Sequence, residues 1–114
     1  MRRMTVTYRL NKKGDIMVKH VIIWKFKDEI ENKTERSKEI KAALEGLVGR
    51  IEGLIEMHIL TDAYPSSVGD LMMDSTFESN EALIGYQKSP LHQKIANGLV
   101  RPSMQSRLSF DYEV

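Results

Sequence analysis

The chain has 114 residues, of which 41% are hydrophobic and 29% are charged, as is typical of one globular domain. It contains no cysteine, so disulfides and thiolate metal sites are excluded, and a reducing cytoplasm is the expected location. The longest aliphatic or aromatic run, residues 21–24, is too short to span a bilayer, so we expect no membrane partner.

The net charge of +1 is unevenly distributed, because residues 1–16 carry +4 and residues 17–114 carry −3. One aromatic side chain, Tyr8, among scattered charges makes no stacking platform, so we expect no nucleic-acid binding. Alternation over residues 5–10 predicts an added edge strand that turns at residues 13–15. An alternative hypothesis is that residues 1–16 are translated leader and that the natural start is Met17. Intact-mass analysis of the native protein would decide between the two, since a mass that includes residues 1–16 contradicts the leader hypothesis.

The first predicted strand of the body, residues 18–27, is apolar on both sides at its start. By the two-residue period, His20 shares a face with Ile22, Trp24 and Phe26, whereas Val21 lies on the other face. A titratable ring among apolar side chains is either a satisfied core residue or one wall of a site. The pattern leaves both interpretations open.

A helix is predicted over residues 32–48, with Asn32 as the N-cap and Gly49 as the stop. Its apolar stripe has helical spacing. A second strand, residues 54–61, is predicted to place Ile55, Met57 and Ile59 on one face. The turn-rich loop 62–69 leads to a third strand, residues 70–77.

Ser79 or Asn80 is predicted to cap a second helix that runs to Lys88. Ser89 followed by Pro90 predicts a fresh start, with a third helix over residues 90–97 that ends near Gly98. The last strand is predicted over residues 106–114, and one of its faces carries Leu108, Phe110, Tyr112 and Val114.

The predicted order β-α-β-β-α-β is the arrangement of ferredoxin-like α+β domains, in which a four-stranded antiparallel sheet is covered by helices on one face. The strands carry more apolar residues than two helices can cover, so the other face predicts a partner. Two such sheets that face each other form a dimeric α/β barrel, and we expect a homodimer through the open sheet face.

Several segments in this order resemble the stress-response A/B barrel (Dabb) family. They are residues 18–29, residues 77–79 leading to Tyr86, residues 89–92 and residues 110–112. The resemblance covers residues 17–114, which are taken as the domain. It implies a dimeric α+β barrel, in agreement with the topology read from the strand and helix patterns.

The family includes the plant polyketide cyclase that forms olivetolic acid by aldol closure, and its functional residues match three positions here. By this resemblance, His92 is the general acid/base, Tyr86 holds a substrate carbonyl oxygen, and His20 is a wall of the same cavity. Trp24 and Phe26, which share the face of His20, are the expected substrate-binding residues. Ser89 departs from the pattern, because many members have a histidine before the proline.

Physical chemistry supports the role of His92 but does not require it. His92 is the third residue of its predicted helix, where the helix dipole disfavours a charged imidazolium and keeps the ring in the form that abstracts a proton. Tyr86 can donate a hydrogen bond to an oxygen that gains charge in an enolate-like transition state. The alternative is that His92 only fills a helix start. The three histidines show no metal-ligand spacing, so neither a metal nor a cofactor is predicted.

Three function classes therefore remain open. The first is a stress-associated or small-molecule-binding homodimer, for which a small hydrophobic carbonyl compound is the expected ligand. The second is a cofactor-free cyclase, isomerase or lyase that uses His92 and Tyr86. The third is a scaffold that acts through its outer surface.

Overall fold

The computed structural model describes residues 9–114, which form one four-stranded antiparallel sheet and three α-helices. In chain order these elements are β1 (Val18–Phe26), α1 (Lys33–Glu45), β2 (Leu54–Leu60), β3 (Leu71–Phe77), α2 (Asn80–Lys88), α3 (Pro90–Ile95) and β4 (Met104–Glu113). A π-helical segment (Ala96–Val100) and a 3-10 turn (Arg101–Ser103) join α3 to β4. The strand order is β2-β3-β1-β4, so the ferredoxin-like prediction is confirmed.

The inner face of the sheet, which the helices cover, holds the core. On β1 this face carries His20, Ile22, Trp24 and Phe26, all of which are at most 4% exposed. His20 lies opposite Ser75 of β3 in the strand register. The histidine is therefore on the helix-covered side of the sheet, as its alternation with apolar residues indicates.

The outer face of the sheet is apolar where β1 and β4 meet. Val21 pairs with Phe110 and Ile23 pairs with Leu108 in the register of these strands. Phe110 is 70% exposed and Leu108 is 64% exposed, so the chain itself leaves a large part of this surface open. Exposed apolar area of this kind is typical of an interaction surface.

Strand β2 differs from its predicted pattern. The register against β3 shifts between Leu54 and Glu56, so one extra residue is inserted and the side chains change face. As a result, Leu54 is buried with Met57 and Ile59, whereas Ile55 is exposed. The prediction that Ile55 shares a face with Met57 and Ile59 is wrong.

The helical segment that begins with α3 continues further along the chain than its sequence predicts. Helical backbone does not end near Gly98 but runs through the π-helical segment and the 3-10 turn to Ser103. Ala96 and Val100 are buried, and Pro102 lies in the first turn of the 3-10 segment, where its missing N–H is not needed. The apolar contacts of this segment thus outweigh the intrinsic cost of one glycine, about 1 kcal/mol.

Residues 9–17 form a tight turn against the domain. Gly14 has a φ of +84°, which glycine adopts without strain, and Leu10 forms an isolated bridge with Ile16. The Nδ2 of Asn11 donates a hydrogen bond to the Glu78 carbonyl oxygen at 3.1 Å. Residues 5–8 of the predicted edge strand lie outside the described residues. No helix within residues 9–114 is long and apolar enough to cross a membrane.

Candidate functional site

A cavity of about 290 Å³ lies between the inner face of the sheet and the segment from α2 to the 3-10 turn. Apolar side chains form much of its wall. The polar and aromatic residues that line it are His20, Trp24, Tyr86, Gln87, His92, Gln93, Arg101 and Arg107. The elements that contribute them are far apart in the chain, so the fold alone brings this set together.

Helix α2 positions Tyr86. The helix begins after Ser79, whose Oγ accepts a hydrogen bond from the Ala82 N–H at 3.1 Å, as expected for an N-cap. Two helical turns further on, the Tyr86 ring is 1% exposed and packs on Phe77, with 5.0 Å between ring centroids. Its hydroxyl group has no hydrogen-bond partner among residues 9–114. Packing thus fixes the ring while the hydroxyl stays available to a ligand.

Helix α3 positions His92 against the same tyrosine. Ser89 and Pro90 start this helix as predicted, and His92 lies in its first turn. The rings of His92 and Tyr86 are stacked, with centroids 4.1 Å apart and an interplanar angle of 36°. The predicted acid/base residue and the predicted carbonyl-binding residue are therefore in direct contact.

The surroundings shift the pKa of both rings away from the charged form. Burial raises the pKa of Tyr86 and the charge of Arg107 opposes this only in part, so the phenol keeps its proton. Burial also lowers the pKa of His92, and the charges of Arg101, His20 and Arg107 lower it further, although the backbone of Gln87 opposes the shift. The site therefore offers a phenol donor beside a neutral imidazole at neutral pH.

The Nδ1 atom of His92 is buried and has no hydrogen-bond partner among the described residues. Buried polar atoms are nearly always paired, because an unpaired one costs about 1–3 kcal/mol. An unpaired imidazole nitrogen that is not protonated is an acceptor. Because this nitrogen is buried, a ligand in the cavity cannot reach it, so proton abstraction by the neutral ring would fall to Nε2.

His20 is held in place by the last strand. Its Nδ1 forms a hydrogen bond with the Oδ1 of Asp111. Asp111 lies directly opposite His20 in the β1–β4 register. The carboxylate stays partly exposed whereas the imidazole is buried. Such a carboxylate fixes the ring orientation and the tautomer of its histidine.

The cavity brings together four of the five residues that the sequence singled out, namely His20, Trp24, Tyr86 and His92. Phe26 does not line it, because that ring is 2% exposed in the core beyond Trp24 and borders a separate depression. We therefore assign Phe26 no place in this site.

Sequence reasoning missed Asp111, Arg107 and Arg101. Arg107 pairs with Trp24 and Asp111 with His20 across the β1–β4 ladder. One feature of the sequence could have pointed to these residues. The face of the last strand that lies on the helix-covered side of the sheet carries polar residues, whereas apolar residues are expected on that side. Within residues 9–114 no group of three His, Asp or Glu side chains is placed to hold a metal ion.

Comparisons with known proteins bear on the whole fold. The family model described as the stress responsive A/B barrel domain matches residues 18–114. An Arabidopsis thaliana protein solved in solution is 32% identical, with a TM-score of 0.66 over 85% of this chain and 87% of that chain. A Bacteroides fragilis protein, described as dimeric, ferredoxin-like and of unknown function, is 25% identical, with a TM-score of 0.77 over 86% of this chain and 96% of that chain.

A hydroxynitrile lyase from Passiflora edulis has the same fold, with 19% identity and a TM-score of 0.73 over 86% of this chain and 93% of that one. At that identity the likeness concerns the fold alone. Comparison with curated proteins gave no match. Because the family model covers all four strands and all three helices, the chain belongs to the stress responsive A/B barrel domain family.

Proposed function

We propose that this protein is a cytoplasmic homodimer that binds a small, largely apolar carbonyl compound in the cavity under α2 and α3. The observation that supports this most is the composition of the cavity wall. Apolar side chains form one part of the wall, and a phenol donor, two imidazoles, two glutamines and two arginines form the rest, so the cavity can hold an apolar body and orient a polar group. The volume, about 290 Å³, is at the lower end of the usual range of about 300–1,000 Å³.

The homodimer part of the proposal is supported by the outer face of the sheet. Phe110 and Leu108 lie beside Val21 and Ile23 there, and a second copy of the same face would cover all four. Solved relatives described as dimeric have the same fold. A Phe110→Asp variant should run as a monomer in light scattering at micromolar concentration, whereas the surface variant Tyr64→Asp should not change the mass. A monomeric wild-type protein would contradict the proposal.

Binding can be tested with a panel of small aromatic and aliphatic ketones and aldehydes, by the rise in unfolding temperature. Ligands should stabilise the wild type and a His58→Gln variant, whose altered side chain is exposed and outside the cavity. They should not stabilise Trp24→Ala in its folded state, because Trp24 forms a wall of the cavity. Equal stabilisation of all three proteins would show that the ligands bind elsewhere.

A second candidate function is cofactor-free catalysis at the same site. The stacked Tyr86 and His92 rings, which line the same cavity, favour it. In this reaction the neutral imidazole takes a proton from the carbon next to a carbonyl group, and the electron pair of the broken C–H bond moves onto the carbonyl oxygen. The Tyr86 hydroxyl donates a hydrogen bond to that oxygen, and the imidazolium then returns its proton to the product.

Solvent exchange separates the two candidates. A purified β-diketone is incubated with the protein in deuterated water. The loss of its α-proton signal is followed by NMR. Catalysis predicts exchange faster than the protein-free background with the wild type, only the background rate with His92→Gln, and an acceleration about 100-fold smaller with Tyr86→Phe. Binding without accelerated exchange would be consistent with a binding protein and would exclude catalysis for this class of compound.

A further inference from the structure

We propose that the ligand of the cavity carries a carboxylate, which Arg107 and Arg101 bind at the β4 end of the site. This inference rests on the proposed function, because it specifies which small carbonyl compounds the cavity accepts. The carbonyl group would then lie toward Tyr86 and His92, and the acidic group toward the two arginines.

The first argument is the placement of the two arginines. Arg107 is on the inner face of β4, directly opposite Trp24, and Arg101 opens the 3-10 turn that follows the π-helical segment. Both residues line the cavity while remaining exposed, so they lie at its mouth. The continuation of the helix past Gly98 is what brings Arg101 to this position.

The second argument is that the positive charge is not balanced by the described part of the chain. No carboxylate of residues 9–114 lies within 4.0 Å of either guanidinium, and no Asp or Glu is among the residues that line the cavity. Arg101 donates a hydrogen bond to the Oδ1 of Asn97, which is neutral. Asp111, the nearest acidic residue on the inner face of β4, is engaged by His20. Two fixed cations at the mouth of a cavity without an acidic wall favour an anionic ligand.

The third argument is the chemistry of the guanidinium group and its distance from the reactive rings. A guanidinium presents paired N–H donors that match the two oxygens of a carboxylate. The charge of Arg107 acts on both Tyr86 and His92, and that of Arg101 acts on His92. All four residues also line the same cavity of about 290 Å³, so one small molecule with an apolar body between its carbonyl and carboxylate groups can contact the rings and the arginines together.

The experiment compares 4-acetylbenzoate, in which an aromatic ring separates the ketone from the carboxylate, with its uncharged methyl ester, by calorimetry on the wild-type protein. The acid should bind at least about tenfold more tightly than the ester, and added salt should reduce this difference. In Arg107→Met the affinity for the acid should fall toward that for the ester, with the remaining difference due to Arg101, while ester binding is unchanged. Arg107→Lys should recover part of the difference, because it restores charge without the paired donors.

The matched control is Arg50→Met, which removes an exposed arginine outside this cavity and should leave both affinities unchanged. Equal affinity of acid and ester for the wild type would overturn the inference while leaving carbonyl binding in place. Equal weakening of both ligands by Arg107→Met would also overturn it, since the arginine would then only shape the cavity. Failure of both compounds to bind would count against the proposed function and would remove the inference with it.

Discussion

Tyr86→Phe is the substitution that best separates a functional tyrosine from a structural one. It removes a single oxygen from a ring that is 1% exposed and packs between Phe77 and His92. The ring contacts of the core are kept. What changes is the hydroxyl group, which has no hydrogen-bond partner within residues 9–114.

The expected effect on stability follows from that missing partner. An intramolecular hydrogen bond contributes about 0.5–1.5 kcal/mol to the free energy of unfolding, and here there is none to lose. The hydroxyl is not among the fully buried polar atoms that lack a partner, so water in the cavity can hydrate it and the variant relieves no desolvation cost. We therefore expect Tyr86→Phe to leave the free energy of unfolding unchanged to within about 1 kcal/mol, or about 4 °C in unfolding temperature.

Tyr86→Ala provides the contrast, because it empties the ring volume as well. Such a change in a packed core costs about 3–5 kcal/mol, a large part of the roughly 5–15 kcal/mol that stabilises a domain of this size. Urea unfolding of the wild type and both variants measures the two values, and ligand binding is measured on Tyr86→Phe. A loss above about 1 kcal/mol in Tyr86→Phe would show that the hydroxyl is paired in the native protein, and the reasoning would be refuted.

Two further predictions concern the histidines. Burial and nearby positive charge lower the pKa of His92, so the unfolded chain binds a proton near pH 6.5 that the native protein does not. The free energy of unfolding should therefore fall as the pH drops below 6.5, and His92→Phe should flatten this fall in urea titrations, whereas the exposed-site control His58→Gln should not. For the pair of His20 and Asp111, Asp111→Leu should cost about 1–3 kcal/mol because it leaves a buried nitrogen unpaired, and Asp111→Asn should cost less because it keeps an acceptor. Unchanged stability of Asp111→Leu relative to the neighbouring control Glu113→Ala would contradict that role.

Strand alternation made most of the sheet predictable from the sequence. A two-residue period is a local property, so the buried face of β1 and the open face of β4 followed directly from the order of their side chains. The bulge in β2 was not predictable in this way. Ile55 and Leu54 are both good strand residues, and only the pairing with β3 determines which of them is buried.

The candidate site was only partly predictable, for a similar reason. The resemblance to a family pointed to Tyr86 and His92, and the structure brings these two rings into contact. Asp111 and Arg107 come later in the chain and reach the site only through the pairing of β4 with β1. Phe26 lies outside the cavity, because alternation gives the face of a strand but not the position along it at which a cavity ends.

The same pairing couples the proposed cavity to the proposed dimer. Arg107 and Asp111 alternate along β4 with Leu108 and Phe110, so one edge strand supplies both the mouth of the cavity and the open face. A partner that covers the open face would restrict the movement of β4 and hold the cavity residues in place. By linkage, ligand binding and dimer formation should then strengthen each other. The monomeric variant Phe110→Asp should therefore bind carbonyl ligands more weakly than the wild type, although Phe110 is on the opposite face of the sheet from the cavity. Equal affinity in the monomer and the dimer would show that the inner face of β4 is rigid without a partner.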